Sequence, residues 1–454
     1  MNNIDKLRQD ILESKTFCFY PFLELSTNPS GHVKPCCYYT SVLFEDFNNE
    51  DYEKSFNIAK ESTLEESWNS KTIIKIRENI TNEVPVRHCQ ACYRDGNASM
   101  RVRSIQEYKN NIEILNLVSK TIDNDFVAEH LPKRLELKPS NLCNLKCMMC
   151  NSYDSSQVGK ELVELAEKHK GIEVYGGRFI EIKPENEGVK ETNHAFIDLG
   201  APDWSDNPTV WESFVNIVPQ LEVLSFAGGE PTLLPFVQRA LDYCVKTGHS
   251  KHIVVYVSSN FTNINKNFLK MMPEFKKFEL IASIDGLELV NDYCRYPSKW
   301  GQISENFSKA KQLMSSGNVK ILVNITVNLL NVMNLDRLLY WLEDHAKIYP
   351  YYIEWPFNIN LIFFPTEQRI TSLPPEKRAI AIDRLEEYKV KSKILKEFPE
   401  LVHKIDLVIN ELRLEYTNKD KSNLEVFVKR VKILDEHRGI SIGDYIPDLK
   451  DLFK

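Results

Sequence analysis

Between about residues 134 and 365 the chain alternates two kinds of hydrophobic pattern. Short runs rich in aliphatic and β-branched residues predict strands: RLELKP, LEVLSFAGG, HIVVYVSSN, FELIASIDG, KILVNITVN and INLIFFP. Between most of them lie stretches with apolar residues three and four apart, LLPFVQRALDYCVKTG, ISENFSKAKQLMSSG and NLDRLLYWLEDHAK, which predict amphipathic helices. Strand and helix in alternation call for parallel strands joined by right-handed crossovers. Six such strands predict an α/β fold, an open or partial (β/α)6 barrel over residues 129–365. The rhythm breaks at 151–220, rich in Gly, Asn, Asp and Trp. This stretch reads as an insertion after the first strand, beside the mouth of the barrel, where long insertions often touch substrate.

Beyond 365 the period is purely helical. PPEKRAIAIDRLEEYKVKSKIL opens with prolines suited to a first turn, and PELVHKIDLVINELRLEY and NLEVFVKRVKILDEHRG follow, giving a C-terminal helical extension over 366–454. No ligand cluster marks these helices, so they read as padding for the barrel or a surface for a partner. Residues 1–128 lack the strand-helix rhythm and form a third region, a small α+β module.

Composition supports several domains, since 454 residues exceed one typical domain and the balance of 43% hydrophobic and 27% charged residues is that of a globular protein. Lys and Arg total 57 against 64 Asp and Glu, a net charge of -7, which argues against nucleic acid and against an anionic membrane as partners. The opening MNNIDKLRQDILESK lacks the apolar core of a secretory signal, and no apolar run reaches the length of a membrane span, so a cytoplasmic protein is expected. In a reducing compartment ten cysteines are metal ligands or buried small hydrophobes rather than disulfides. Five fall between 18 and 92 and three between 143 and 150.

Cys143, Cys147 and Cys150 directly follow the first barrel strand, at the carboxyl end where such folds gather their chemistry. Three thiolates on one loop can hold three irons of a 4Fe-4S cluster and leave the fourth without a protein ligand. Alone, the motif also suits a fragment of a zinc site. The second strand ends in AGGEP, with Gly228, Gly229 and Glu230. C-x3-C-x2-C after the first strand, with GGE after the second, resembles the radical S-adenosylmethionine (SAM) superfamily of partial TIM-type barrels.

The resemblance implies that SAM chelates the open iron through its amino and carboxylate groups, and that Glu230 and the glycine backbone hold the amino group. VSSN brings Ser258, Ser259 and Asn260 to the end of the third strand, where the hydroxyl of Ser258 and the amide of Asn260 suit the ribose of SAM. SIDG and the following NDYCR resemble the pattern of peptide-modifying members, which makes Ser283 and Arg295 candidates for the SAM carboxylate, with Asp285 between them. For Arg295 a surface ion pair is the competing reading. Asn324, Thr326 and Asn328 alternate along the fifth strand and so share one side. Met149 stands where the superfamily usually has an aromatic residue over the adenine. Cys294 is a candidate hydrogen-atom donor or a packed thiol, and Cys244, in a helical pattern, reads as core.

The N-terminal region carries a second set of cysteines. Cys18, Gly31, Cys36, Cys89 and Cys92 are spaced as C-x12-G-x4-C and a distant C-x2-C, which resembles the twitch domains, shortened relatives of SPASM domains that bind an auxiliary 4Fe-4S cluster. A β-hairpin, LELSTNPSGHVKPC, with an Asn-Pro-Ser-Gly turn would bring Cys18 and Cys36 together. The glycine spacing selects Cys36 over the adjacent Cys37. The same four sulfurs suit structural zinc.

The resemblance implies reductive cleavage of SAM to methionine and a 5'-deoxyadenosyl radical, with an electron donor such as flavodoxin or ferredoxin. A peptide or protein substrate fits the auxiliary module and the SIDG region. Modification of RNA or a nucleotide-derived small molecule, and a non-catalytic iron-sulfur or zinc redox sensor, stay open as alternatives.

Overall fold

The computed structural model describes residues 3–39, 63–94, 99–168, 172–175, 178–181, 204–346 and 357–454. Much of the 151–220 insertion, and with it the expectation that it lines a barrel mouth, lies outside these residues. Among the described residues ten strands are present: β1 Glu24–Thr27, β2 Val33–Lys34, β3 Arg134–Leu137, β4 Ile172–Tyr175, β5 Arg178–Glu181, β6 Val223–Phe226, β7 Val254–Ser259, β8 Lys277–Ser283, β9 Val319–Val327 and β10 Phe357–Leu361. Eight form one sheet in the order β10-β9-β8-β7-β6-β3-β1-β2, and β4 pairs with β5 separately. All six strands expected from the hydrophobic runs form, the registered pairs among them are parallel, and the chain is an α/β protein. Two compact units divide it: Met1–Leu142, Gly200–Val257 and Glu274–Phe278 in the first, Cys143–Leu199, Ser258–Pro273 and Glu279–Lys454 in the second.

In the first unit the expected hairpin forms from β1 and β2, with Ser26 opposite Lys34. Its turn closes through the Gly31 amide on the Asn28 carbonyl at 3.0 Å, and Gly31 has φ +85°, a conformation glycine adopts without a Cβ penalty. β1 then runs parallel to β3 in the register Glu24 to Arg134, so the hairpin extends the sheet. Beside it, Phe17, Phe19, Phe22, Ile76, Ile80, Ile114, Leu115 and Val118 make an apolar core.

Arg77 is wholly buried against that core. Its Nε donates to the Pro21 carbonyl at 2.8 Å, Nη2 to Trp68 at 2.9 Å, and Nη1 to Phe126 at 3.0 Å and Asn69 Oδ1 at 2.9 Å. The guanidinium lies 4.3 Å from the Trp68 ring centroid. One cation thus satisfies carbonyls from three separate segments, which would otherwise be orphaned in a dry interior. Among the described residues no carboxylate offsets its desolvation, and burial lowers its pKa from 12.5 to about 9.

In the second unit β9 alternates strictly: Val319, Ile321, Val323, Ile325 and Val327 are buried, while the intervening residues are half-buried. The C-terminal helices form as Pro375–Lys391, Val402–Leu412 and Asn418–Arg438. The last begins with a capping box between Thr417 and Asp420 and ends at Gly439 with φ +64°. Helices at Lys266–Met271 and Glu288–Cys294 were not evident from periodicity, being only six and seven residues long. Among the described residues no helix is long and apolar enough to cross a membrane.

Candidate functional site

Cys143, Cys147 and Cys150 lie on an irregular loop of the second unit. Backbone hydrogen bonds from another segment fix its shape: the Lys146 amide donates to the Tyr296 carbonyl at 2.6 Å and the Met148 amide to the Cys294 carbonyl at 2.8 Å. Ser155 Oγ donates to the Leu145 carbonyl at 2.7 Å. The Cys143 thiol accepts the Leu145 amide at 3.4 Å. None of the three is in a disulfide. Desolvation pushes Cys147 up to about 12, with a further push from Cys143, and holds Cys150 well above its ordinary range, with pushes from Asp154, Cys147 and Cys143. Three mutually repelling sulfurs held in place this way suit a soft cationic group, which reverses their proton affinity.

The segment following β8 sits against this loop, and Arg295 there is not a surface residue. Its side chain is 11% exposed, and Nε stands 2.7 Å from Oδ2 of the fully buried Asp285. Burial disfavours the Arg295 charge, but Asp285 and Cys147 outweigh it and raise the pKa. The competing reading of Arg295 as a surface ion pair gives way to a buried pair facing the cysteine loop. Asp285 Oδ1 also accepts the Thr326 amide at 2.8 Å, tying β9 to the same point. Cys294 is fully buried beside Asp285, Arg295 and Cys147, its thiol held well above the usual range by desolvation first and then by Asp285.

Asn260 and Thr262 serve the loop as well. Asn260 Nδ2 donates to Asn144 Oδ1 at 2.9 Å, Asn144 Nδ2 donates to Thr262 Oγ1 at 2.8 Å, and Asn260 Oδ1 accepts the Thr262 amide at 2.9 Å. Ser259 Oγ accepts the Phe261 amide at 3.0 Å, while Ser258 and Ser283 are half-buried. Asn324 and Thr326 do share one side of β9, where Asn360 Nδ2 reaches Asn324 Oδ1 at 2.7 Å. Asn328 departs from that side: β9 ends at Val327, and the Asn328 side chain accepts the Leu330 amide in the turn beyond.

In the first unit Gly228 and Gly229 have φ +75° and +52°. A Cβ on Gly228 would lie 2.8 Å from Lys138 Cβ, and one on Gly229 2.3 Å from the Leu142 carbonyl oxygen. Only glycines allow this approach, and it lets the Glu230 amide donate to the Leu142 carbonyl at 2.8 Å. Glu230 is 1% exposed, and its Oε1 caps the following turn, accepting from the Thr232 amide at 3.1 Å and hydroxyl at 2.6 Å. The GGE tip is thus fastened to the residue immediately before Cys143 in the chain.

The N-terminal cysteines also converge. Cys18, Cys36 and Cys89 pack on the aromatic core, and Cys92 is 8% exposed on the helix Gln90–Arg94. Desolvation raises Cys18 to about 11 and Cys89 to about 12, Cys18 pushed further by Cys92, Cys89 by Cys18 and Cys92. Ser104, unnoticed in the sequence, holds Cys18 with Oγ 3.5 Å from its thiol and accepts the Phe19 amide at 3.1 Å. Cys36 feels Cys18 and Cys89, whereas Cys37 turns toward Glu24 and Glu136. Those three groups are the one set of Cys, His, Asp and Glu ligand atoms within 4.8 Å of one another among the described residues. Arg134, Lys34 and Lys138 surround them and balance their charge. Four soft sulfurs gathered in this way suit an iron-sulfur cluster or structural zinc.

The C-terminal helix Asn418–Arg438 supplies residues that the sequence reading missed. Arg438 Nη2 donates to the Lys146 carbonyl at 3.0 Å, Arg430 Nη2 to the Met148 carbonyl at 3.3 Å, and Gln368 Nε2 to the same Met148 carbonyl at 2.5 Å. Glu161 receives Arg438 in a fork at 2.8 and 2.6 Å. The signal for Glu161 was present: it falls on the buried stripe Val158, Leu162 and Leu165, where a carboxylate needs a partner.

Residues 18–93 match the SPASM family model, an iron-sulfur cluster-binding domain. No curated protein matches the chain. Among solved structures it is similar to SuiB of Streptococcus suis bound to S-adenosylmethionine, at 12% identity and TM-score 0.34, over 66% of this chain and 56% of that one. It is also similar to anSMEcpe with bound AdoMet, at 15% identity and TM-score 0.34, over 58% and 62%, and to SuiB bound to the precursor peptide SuiA, at 12% and 0.33, over 66% and 56%. The chain spans less than two thirds of the length of each.

Proposed function

We propose that the protein is a radical SAM enzyme that cleaves SAM reductively and modifies a peptide or protein. One observation carries the reading: Cys143, Cys147 and Cys150, buried or half-buried and outside any disulfide, share a loop braced from several sides, with no fourth cysteine in their sequence motif. The donor set fits a 4Fe-4S cluster with one open iron, because the sulfurs are soft and their raised proton affinity is met by a polycationic core. Such a cluster, when bound, supplies the electron that splits SAM into methionine and a 5'-deoxyadenosyl radical.

The chain's own residues then have separable tasks. Cys143, Cys147 and Cys150 hold the cluster, Glu230 with the Gly228 and Gly229 backbone holds the SAM amino group, and Arg295, kept charged by Asp285, attracts its carboxylate. Ser258, Asn260 and Ser283 stand for ribose and carboxylate contacts. Glu230, Asn260 and Asp285 are buried, which disfavours water beside them. Cys18, Cys36, Cys89 and Cys92 hold an auxiliary cluster, a role supported by the SPASM match over 18–93. The peptide substrate is supported by that module and by the Ser283, Asp285 and Arg295 pattern, and a flavodoxin or ferredoxin is the matching donor.

The test is anaerobic reconstitution with iron and sulfide, addition of SAM and dithionite, and measurement of 5'-deoxyadenosine. The protein should produce it and Cys147→Ala should not; equal amounts from both would overturn the proposal.

A further inference from the structure

The Arg438 side chain is 3% exposed and that of Glu161 2%, an ion pair sealed from water behind the cysteine loop. Lys146 Nζ adds a second cation 3.5 Å from Glu161. Arg438 stacks 4.7 Å from the Tyr296 ring centroid, and Nη1 lies 3.2 Å from Met148 Sδ. Arg430 brings no net charge, being paired with Glu367 at 2.9 Å. Arg438 thus touches both residues that flank Cys147, the Lys146 carbonyl at 3.0 Å and the Met148 sulfur at 3.2 Å. Well-packed apolar side chains stabilise such a position about as well as a buried pair does, so stability alone gives little reason for these charges.

We propose that Arg438 and Glu161 are positioning residues that set the reduction potential of the cluster on Cys143, Cys147 and Cys150, an inference that rests on the radical SAM reading above. Reduction adds one electron, [4Fe-4S]2+ to [4Fe-4S]1+, and so one negative charge behind which Arg438 stands. The arginine stabilises the reduced form and raises the potential; Glu161 opposes it and lowers the potential. The pair holds the two tendencies near balance while its hydrogen bonds to Lys146 fix the loop.

This predicts opposite effects from two substitutions that break the same bridge. In full-length reconstituted protein titrated with dithionite and mediators, the paramagnetic resonance signal that SAM perturbs reports this cluster. Arg438→Met should lower its midpoint potential and Glu161→Gln should raise it, each by on the order of tenfold in the reduced-to-oxidised ratio, about 59 mV for one electron. Arg438→Lys, which keeps the charge, should restore the original value. Shifts of the same sign, unchanged potentials, or loss of iron from all three variants would overturn the inference and leave the pair a structural pin. A wild-type protein with no SAM-perturbed signal would instead remove the radical SAM reading itself.

Discussion

Gly229 approaches Leu142 so closely that a single added carbon would stand 2.3 Å from the carbonyl oxygen, the oxygen that also accepts the Glu230 amide. The contact joins the tip after β6 to the end of the segment that leads into Cys143. Backbone against backbone cannot yield as a flexible side chain would.

Gly229→Ala should therefore cost about 3 kcal/mol or more, combining left-handed strain with overpacking. Denaturant melts would measure the loss, and Gly228→Ala, facing the Lys138 stem instead, should fall in the same direction. A substituted protein as stable as the original would contradict the geometry.

The two sets of cysteines should be separable by metal analysis. Cys147→Ala is expected to lose about four irons and all SAM cleavage, since two thiolates do not retain the cluster. Cys89→Ala should also lose about four irons yet continue to form 5'-deoxyadenosine without substrate. Zinc in place of those last irons would overturn the auxiliary-cluster assignment.

Glu230→Ala should weaken SAM binding at least tenfold, about 1.4 kcal/mol, with iron content unchanged. Equilibrium dialysis of the reconstituted protein measures it. Because Glu230 also caps its own turn through Thr232, Glu230→Gln is the better-folded companion and should weaken binding as well.

Glu24 gives a pH signature. Burial pushes its carboxyl up from 4.5 to about 6 despite Arg134 at 3.0 Å, with Glu136 adding to the push, and its Oε1 has no hydrogen-bond partner. The folded state thus holds this proton more tightly than the unfolded chain. The contribution is complete below pH 4.5 and is lost as pH rises through about 6, roughly 2 kcal/mol in all. Glu24→Gln should flatten that part of the profile, seen by comparing urea midpoints at pH 5 and 7.5; an unchanged slope would refute it.

Arg77→Met should destabilise the protein by about 3 kcal/mol or more, because it orphans the carbonyls of Pro21, Trp68 and Phe126 in the core. Arg77→Lys should recover little, having no planar fork to span three segments. Thermal melts would distinguish the two outcomes from a neutral surface change.

The strands were legible because their alternation or apolar continuity is local, and so were the cysteine loop, the GGE tip and the Asn-Pro-Ser-Gly hairpin, each marked by spacing within one stretch. What escaped is what depends on distant pairing. For Arg295 the sequence left a surface ion pair open beside a SAM contact, because Asp285 is ten residues away and only the fold buries the two together. Arg438 and Glu161 are 277 positions apart, so a helix that seemed mere padding turned out to brace the cysteine loop. Asn328 was misplaced for a smaller reason: alternation along β9 was extended one residue past the strand's end, into a turn that uses its amide.

The loop bearing Cys143, Cys147 and Cys150 leans on Gln368, Arg430 and Arg438, all translated more than two hundred residues later. A nascent chain on the ribosome would present the three sulfurs long before their braces exist. Metal assembly at that loop would thus follow translation of the helix Asn418–Arg438, and a protein truncated before that helix should emerge colourless at this centre whatever the iron supply.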